Sequence, residues 1–106
     1  MNVQYRIRGL KATGPVREQL GIALRALARL VPIARATVIL ERQRDCNPPF
    51  QALALLGVPG PDIHAAARDY TWPAAWSKVA ERLRRVIEDR SERRRARHRS
   101  EGQVHP

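Results

Sequence analysis

The sequence predicts an α+β fold: a two-layer sandwich of order β-α-β-β-β-α, with a four-stranded mixed sheet and two helices on one face. Three observations lead there. Four stretches are apolar over strand length, and the first two of them alternate. Two others repeat their apolar residues at helical spacing, each opened by a threonine and a proline. Finally, prolines and glycines fall between these stretches, as at Pro59-Gly60-Pro61.

The first strand is read at residues 2–8, where Val3, Tyr5 and Ile7 point one way and Asn2, Gln4, Arg6 and Arg8 the other. Thr13 or Gly14 caps a helix over 14–31. Pro15 sits in its first turn, where a missing N–H costs nothing, and Pro32 stops it. Its stripe is Val16, Leu20, Ala23/Leu24, Leu27 and Leu30/Val31. Residues 34–44 form a strand that is β-branched at its centre. After the Asp45–Pro49 loop, residues 50–58 and 62–68 form two more strands around the Pro59-Gly60-Pro61-Asp62 turn. A strand, a helix and a strand in succession make the first two strands a parallel pair joined by a right-handed crossover. The later strands pair as a meander.

The second helix is capped by Thr71 and runs over 72–92, with Trp76, Val79/Ala80, Leu83 and Val86/Ile87 as its apolar stripe. Trp76 reads as a core anchor and Trp72 as a rim residue. Beyond residue 92 the only apolar residue before Val104 is Ala96. The chain therefore divides into an α+β domain at 1–92 and a basic disordered tail at 93–106.

Charge narrows the function. The 106 residues carry 20 lysines and arginines against 10 acids, net +10, and 18 of the cations are arginine. Residues 78–100 hold ten cations against four acids. Arginine offers a planar fork of donors that fits phosphate bidentately, so a small arginine-dominated chain points to nucleic acid. On the first helix Arg17, Arg25 and Arg29 lie off the apolar stripe, with Glu18 its single acid. On the second, Lys78, Arg82 and Arg85 share one face at i, i+4 and i+7. With the helices side by side, these six are expected to form one basic plate facing phosphate. Arg93 and Arg94 in the tail would add non-specific phosphate contacts.

Enzymatic chemistry finds no constellation. His64, His98 and His105 share no metal-ligand spacing, and Gly57-Val58-Pro59-Gly60-Pro61 is a turn with no helix after it, not a phosphate loop. We expect no catalytic residue, metal, cofactor or small-molecule substrate. Cys46 is the only cysteine, which rules out an intramolecular disulfide and fits a reducing cytoplasm. The longest apolar-leaning stretch, Leu20 to Ala34, is interrupted by Arg25, Arg29 and Pro32 and cannot span a bilayer.

Several short segments, in this order and spacing, carry a resemblance. They are Met1-Asn2-Val3-Gln4, Thr13 with Val16-Arg17, Arg29, Val58-Pro59-Gly60, Ile63-His64-Ala65, Asp69, and Leu83 with Arg82 and Arg85. Over residues 1 to about 95 the chain resembles the ribosome hibernation promoting factor family, which includes the ribosome-associated translation inhibitor and was once labelled sigma-factor modulation protein. The resemblance implies a fold similar to double-stranded-RNA-binding domains. It also implies binding to the small ribosomal subunit and its rRNA, in the channel for mRNA and tRNAs, with translation blocked by occupancy. The chain resembles the short form, without a dimerisation domain, and is expected to be cytoplasmic and a monomer when free. The alternatives are a regulatory module whose basic plate docks an acidic protein, and a diverged RNA-binding paralogue.

Overall fold

The computed structural model describes the backbone of residues 1–103 and the side-chain surroundings of residues 1–97. Its elements are β1 (Asn2–Arg8), α1 (Gly14–Ala28), β2 (Arg35–Arg42), β3 (Phe50–Gly57), β4 (Ile63–Asp69) and α2 (Trp72–Gln103). They form one four-stranded sheet of order β1-β2-β3-β4, with β1 parallel to β2 and the remaining pairs antiparallel. The expected architecture is thus present.

Register explains why one face is dry. Val3, Tyr5 and Ile7 lie beside Ala36, Val38 and Leu40, which lie beside Leu56, Ala54 and Ala52 and then Ile63, Ala65 and Ala67. A period of two puts all of these on one side of the sheet. Val16, Leu20, Leu24 and Leu27 of α1 and Ala75, Trp76, Val79, Leu83 and Ile87 of α2 close over that side in a single core. The opposite face is not wholly polar, although β1 turns Asn2, Gln4, Arg6 and Arg8 to it. Ile39 and Leu53 pair at its centre beside Ala66, and Leu55 lies 44% exposed.

The caps are as the sequence indicates. Val16 N–H donates to Thr13 Oγ1 at 3.4 Å, and Ala74 N–H donates to Thr71 Oγ1 at 3.3 Å. Two helix ends differ from expectation. α1 stops at Ala28 rather than residue 31: a residue before proline disfavours helical geometry, and the last turn tightens through Arg29 N–H to Ala26 O and Leu30 N–H to Leu27 O, with Val31 N–H closing on Leu27 O at 3.3 Å. α2 does not stop near residue 92 but runs to Gln103. Its extension has no apolar stripe, yet no glycine or proline interrupts the chain between Ala74 and Gly102. Its residues are mostly strong helix formers, and Arg93 pairs with Asp89 at i, i+4 across 3.2 Å. Residues 104–106 of the expected tail lie outside the described backbone, and so do the side chains from His98 onward.

Just after β1, Gly9 holds φ +77°; a Cβ there would sit 2.7 Å from the Arg42 carbonyl oxygen. Both the left-handed backbone and the close strand forbid a side chain. Gly9→Ala is therefore expected to lower stability by about 1 to 3 kcal/mol in urea melts.

Candidate nucleic-acid interface

The helical layer does not present one basic plate. α1 and α2 touch along a groove lined by Ala23, Ala26, Ser77, Ala80, Glu81 and Arg84. At about 100° per residue, Arg17 and Arg25 leave α1 on the flank away from that groove, and Arg29 points between flank and solvent. Arg25 confirms this placement: a Cβ on Gly21 would lie 3.2 Å from Arg25 Nη1 and 3.4 Å from the Tyr5 hydroxyl, so Arg25 lies over β1. Arg17, Gly21 and Arg25 form one i, i+4, i+8 stripe along it. Arg17 and Arg25 of α1 and its C-cap Arg29 are exposed, and none has an ion-pair partner among the described residues.

Lys78 and Arg82 of α2 leave on the opposite flank and are engaged. Lys78 Nζ lies 2.9 Å from Asp69 Oδ2 and donates to Arg68 O at 3.3 Å. Arg82 donates to the carbonyl of Ala66. Both carbonyls belong to the outer edge of β4, so these two side chains satisfy groups that no further strand covers. Arg85 pairs with Glu81 at 3.2 Å, and Arg84 holds the same carboxylate at 2.8 Å. The hydrogen bond from Arg84 is the main cause that keeps the Glu81 carboxyl below its ordinary range.

Lys78 likewise lowers the Asp69 carboxyl, helped by the Tyr70 N–H that donates to it at 2.7 Å. A depressed folded pKa contributes stability above the unfolded value near 4, and that contribution is lost as pH falls through the lower folded value. Asp69→Asn is thus expected to lower the melting midpoint at pH 7 and to change it little at pH 2, as thermal scans at the two pH values would show.

A third basic locus lies at the far end. Arg90 donates to Pro61 O at 2.6 Å, and Arg90, Arg93, Arg94 and Arg97 line a cleft against Pro59, Gly60 and Pro61 of the β3–β4 turn. The sequence places Arg93, Arg94 and Arg97 in a basic tail and does not single out Arg90 as their neighbour. Their four-residue spacing, 90-94 and 93-97, was the available signal, provided the helix was known to continue. Arg17, Arg25 and Arg29 are therefore one group, Lys78, Arg82 and Arg85 another, and Arg93 and Arg94 a third.

Among the described residues no group of three or more His, Cys, Asp and Glu side chains could hold a metal ion. Cys46 and His64 are exposed on separate parts of the fold. No described helix is long and apolar enough to cross a membrane.

Comparison with known proteins gives consistent findings. Residues 3–95 match the model of a family described as Sigma 54 modulation protein / S30EA ribosomal protein. The fold is similar to the crystal structure of the Thermus thermophilus Protein Y N-terminal domain. The TM-score is 0.73 at 22% identity, over 84% of this chain and 98% of that one. It is also similar to a ribosomal subunit interface protein from Coxiella burnetii, with a TM-score of 0.71 at 18% identity, over 87% of this chain and 99% of that one. No curated protein matches the sequence.

Proposed function

Because the chain belongs to the Sigma 54 modulation protein / S30EA ribosomal protein family, we propose that it is a non-enzymatic, ribosome-associated translation inhibitor acting by occupancy. Its site is rRNA of the small subunit, in the channel that mRNA and tRNAs use. The observation that carries this reading is the unpaired arginine stripe of α1. Arg17, Arg25 and Arg29 stand exposed without a carboxylate partner among the described residues, whereas the cations of α2 are largely occupied by this chain's own acceptors. Free guanidinium forks along three turns of helix can each take a phosphate at little desolvation cost.

Lys78, Arg82 and Arg85 are in this reading secondary contacts, since each must keep or exchange a partner to reach RNA. Arg93 and Arg94 act with the cleft at the β3–β4 turn. The basic segment from residue 93 onward serves as a contact region beside the domain at 1–92, since the side chains of residues 92–97 are all exposed. The protein works in the cytoplasm, as a monomer when free, and needs no cofactor or small-molecule substrate.

Sucrose-gradient fractionation with purified small subunits tests this. The chain is expected to co-migrate with the subunit at low salt and to leave it at high salt. A chain truncated after Glu92 is expected to bind more weakly, yet to melt at nearly the same temperature and still inhibit translation in a cell-free system. Absence from the subunit fraction at low salt would overturn the reading.

A further inference from the structure

The sheet has two edges, and the chain treats them differently. Along β4 the outward carbonyls of Ala66 and Arg68 accept from Arg82 and Lys78, so α2 seals that edge. Along β1 nothing comparable occurs. Asn2 N–H donates to Ala34 O at 3.1 Å, which sets the phase of the parallel ladder. Asn2, Gln4, Arg6 and Arg8 turn their backbone groups toward β2; Val3, Tyr5 and Ile7 turn theirs outward. Among the described residues no hydrogen bond reaches those outward groups, and no proline or bulge interrupts the seven-residue strand. Natural sheets usually blunt such an edge, as α2 blunts β4.

We propose that the free edge of β1 is a docking site for an extended acidic segment of another protein, which adds to the sheet as a fifth strand. The backbone of an incoming strand supplies acceptors and donors in the alternation that Val3, Tyr5 and Ile7 present. Charge fixes its side chains. Arg6 and Arg8 flank the edge on the open face of the sheet, and Arg17 and Arg25 flank it on the helical side. Successive residues of an added strand point to opposite faces, so acids on either face meet arginine. A polyanion without a peptide backbone fits less well: carbonyls alternate with the N–H groups along this edge and repel phosphate as often as an amide attracts it. A second copy of this chain would bring the same arginines and another ten units of positive charge.

The test uses the full chain and a capped seven-residue probe peptide of alternating glutamate and valine, followed by amide hydrogen exchange. Bound peptide is expected to slow exchange at Val3, Tyr5 and Ile7 by about tenfold or more and to leave Gln4 and Arg6, already bonded to β2, unchanged. The same peptide N-methylated on alternate backbone nitrogens in either phase should lose this protection in one phase and retain it in the other. That control needs no variant. Arg6→Glu with Arg8→Glu is expected to raise the dissociation constant about tenfold, and Arg6→Gln with Arg8→Gln, a milder change for folding, to raise it less. Equal binding of both methylated peptides would reduce the contact to charge and overturn the proposal. So would protection of the same three amides by a single-stranded RNA of like length, or by raising the concentration of the protein alone.

Discussion

Replacing Trp76 by alanine is expected to lower the unfolding free energy by about 3 to 5 kcal/mol, the range for losing a buried large aromatic. The residue is 3% exposed, and it is packed in one core with Trp72, Val79, Leu83 and the helix-facing strand residues. A domain of this size has about 5 to 10 kcal/mol in all, so the variant would stand near the edge of folding. One detail makes the result sharper. The indole Nε1 is buried without a hydrogen-bond partner. Trp76→Phe removes that unsatisfied donor along with part of the ring, and the two changes oppose each other. The phenylalanine variant should therefore lose less than about 1.5 kcal/mol, the cost of a volume change in a core that keeps an aromatic. Trp72, only partly buried, should cost about 1 kcal/mol when cut to alanine. Urea melts of the three variants measure this directly. A loss below about 1 kcal/mol at Trp76 would place the indole outside the core.

The second large effect is on binding. Arg17→Ala, Arg25→Ala and Arg29→Ala together are expected to flatten the dependence of log affinity on log salt by about 2 to 3, taking 0.7 to 0.9 for each phosphate no longer neutralised. Folding should be nearly untouched, since all three side chains are exposed and unpaired among the described residues. The companion pair Lys78→Ala and Arg82→Ala should behave in the opposite way. It unseals the β4 edge and breaks the ion pair with Asp69, so it should cost stability more than it changes the salt slope. Filter binding to small-subunit RNA over a salt series, with melts alongside, separates the two. An unchanged slope in the α1 triple variant, together with a flattened slope in the α2 pair, would move the interface to the other flank.

The order of elements, the parallel first pair and the meander after it were legible in the amino-acid chain alone. The reason is that strand alternation and helix periodicity are local signals, and each is repeated in every element here. Val3, Tyr5 and Ile7 are in phase within seven residues, and they need no knowledge of Ala36, Val38 and Leu40 to be read as a buried face. Thr13 and Thr71 announce their helices by chemistry that acts three residues away. Local signals also bounded the errors. The end of α1 was set by how far Pro32 reaches back, and α2 was ended where its apolar stripe ends although helical propensity carried on to Gln103.

The arrangement of charge was settled only by packing in three dimensions. A helical wheel gives the angle of Lys78 or Arg17 on its own helix, but not which neighbour lies on that side. That depends on where α1 and α2 sit over the strands, which is fixed by the shape of the shared core. Once they are placed, Arg17 and Arg25 flank β1, while Lys78 and Arg82 bind the carbonyls of β4, on the opposite edge of the same sheet. Residues with one side-chain chemistry thus stand free on one flank and seal backbone groups on the other. Nothing in their own segments distinguishes them, because the acceptors that separate them lie 10 and 16 residues away in the chain.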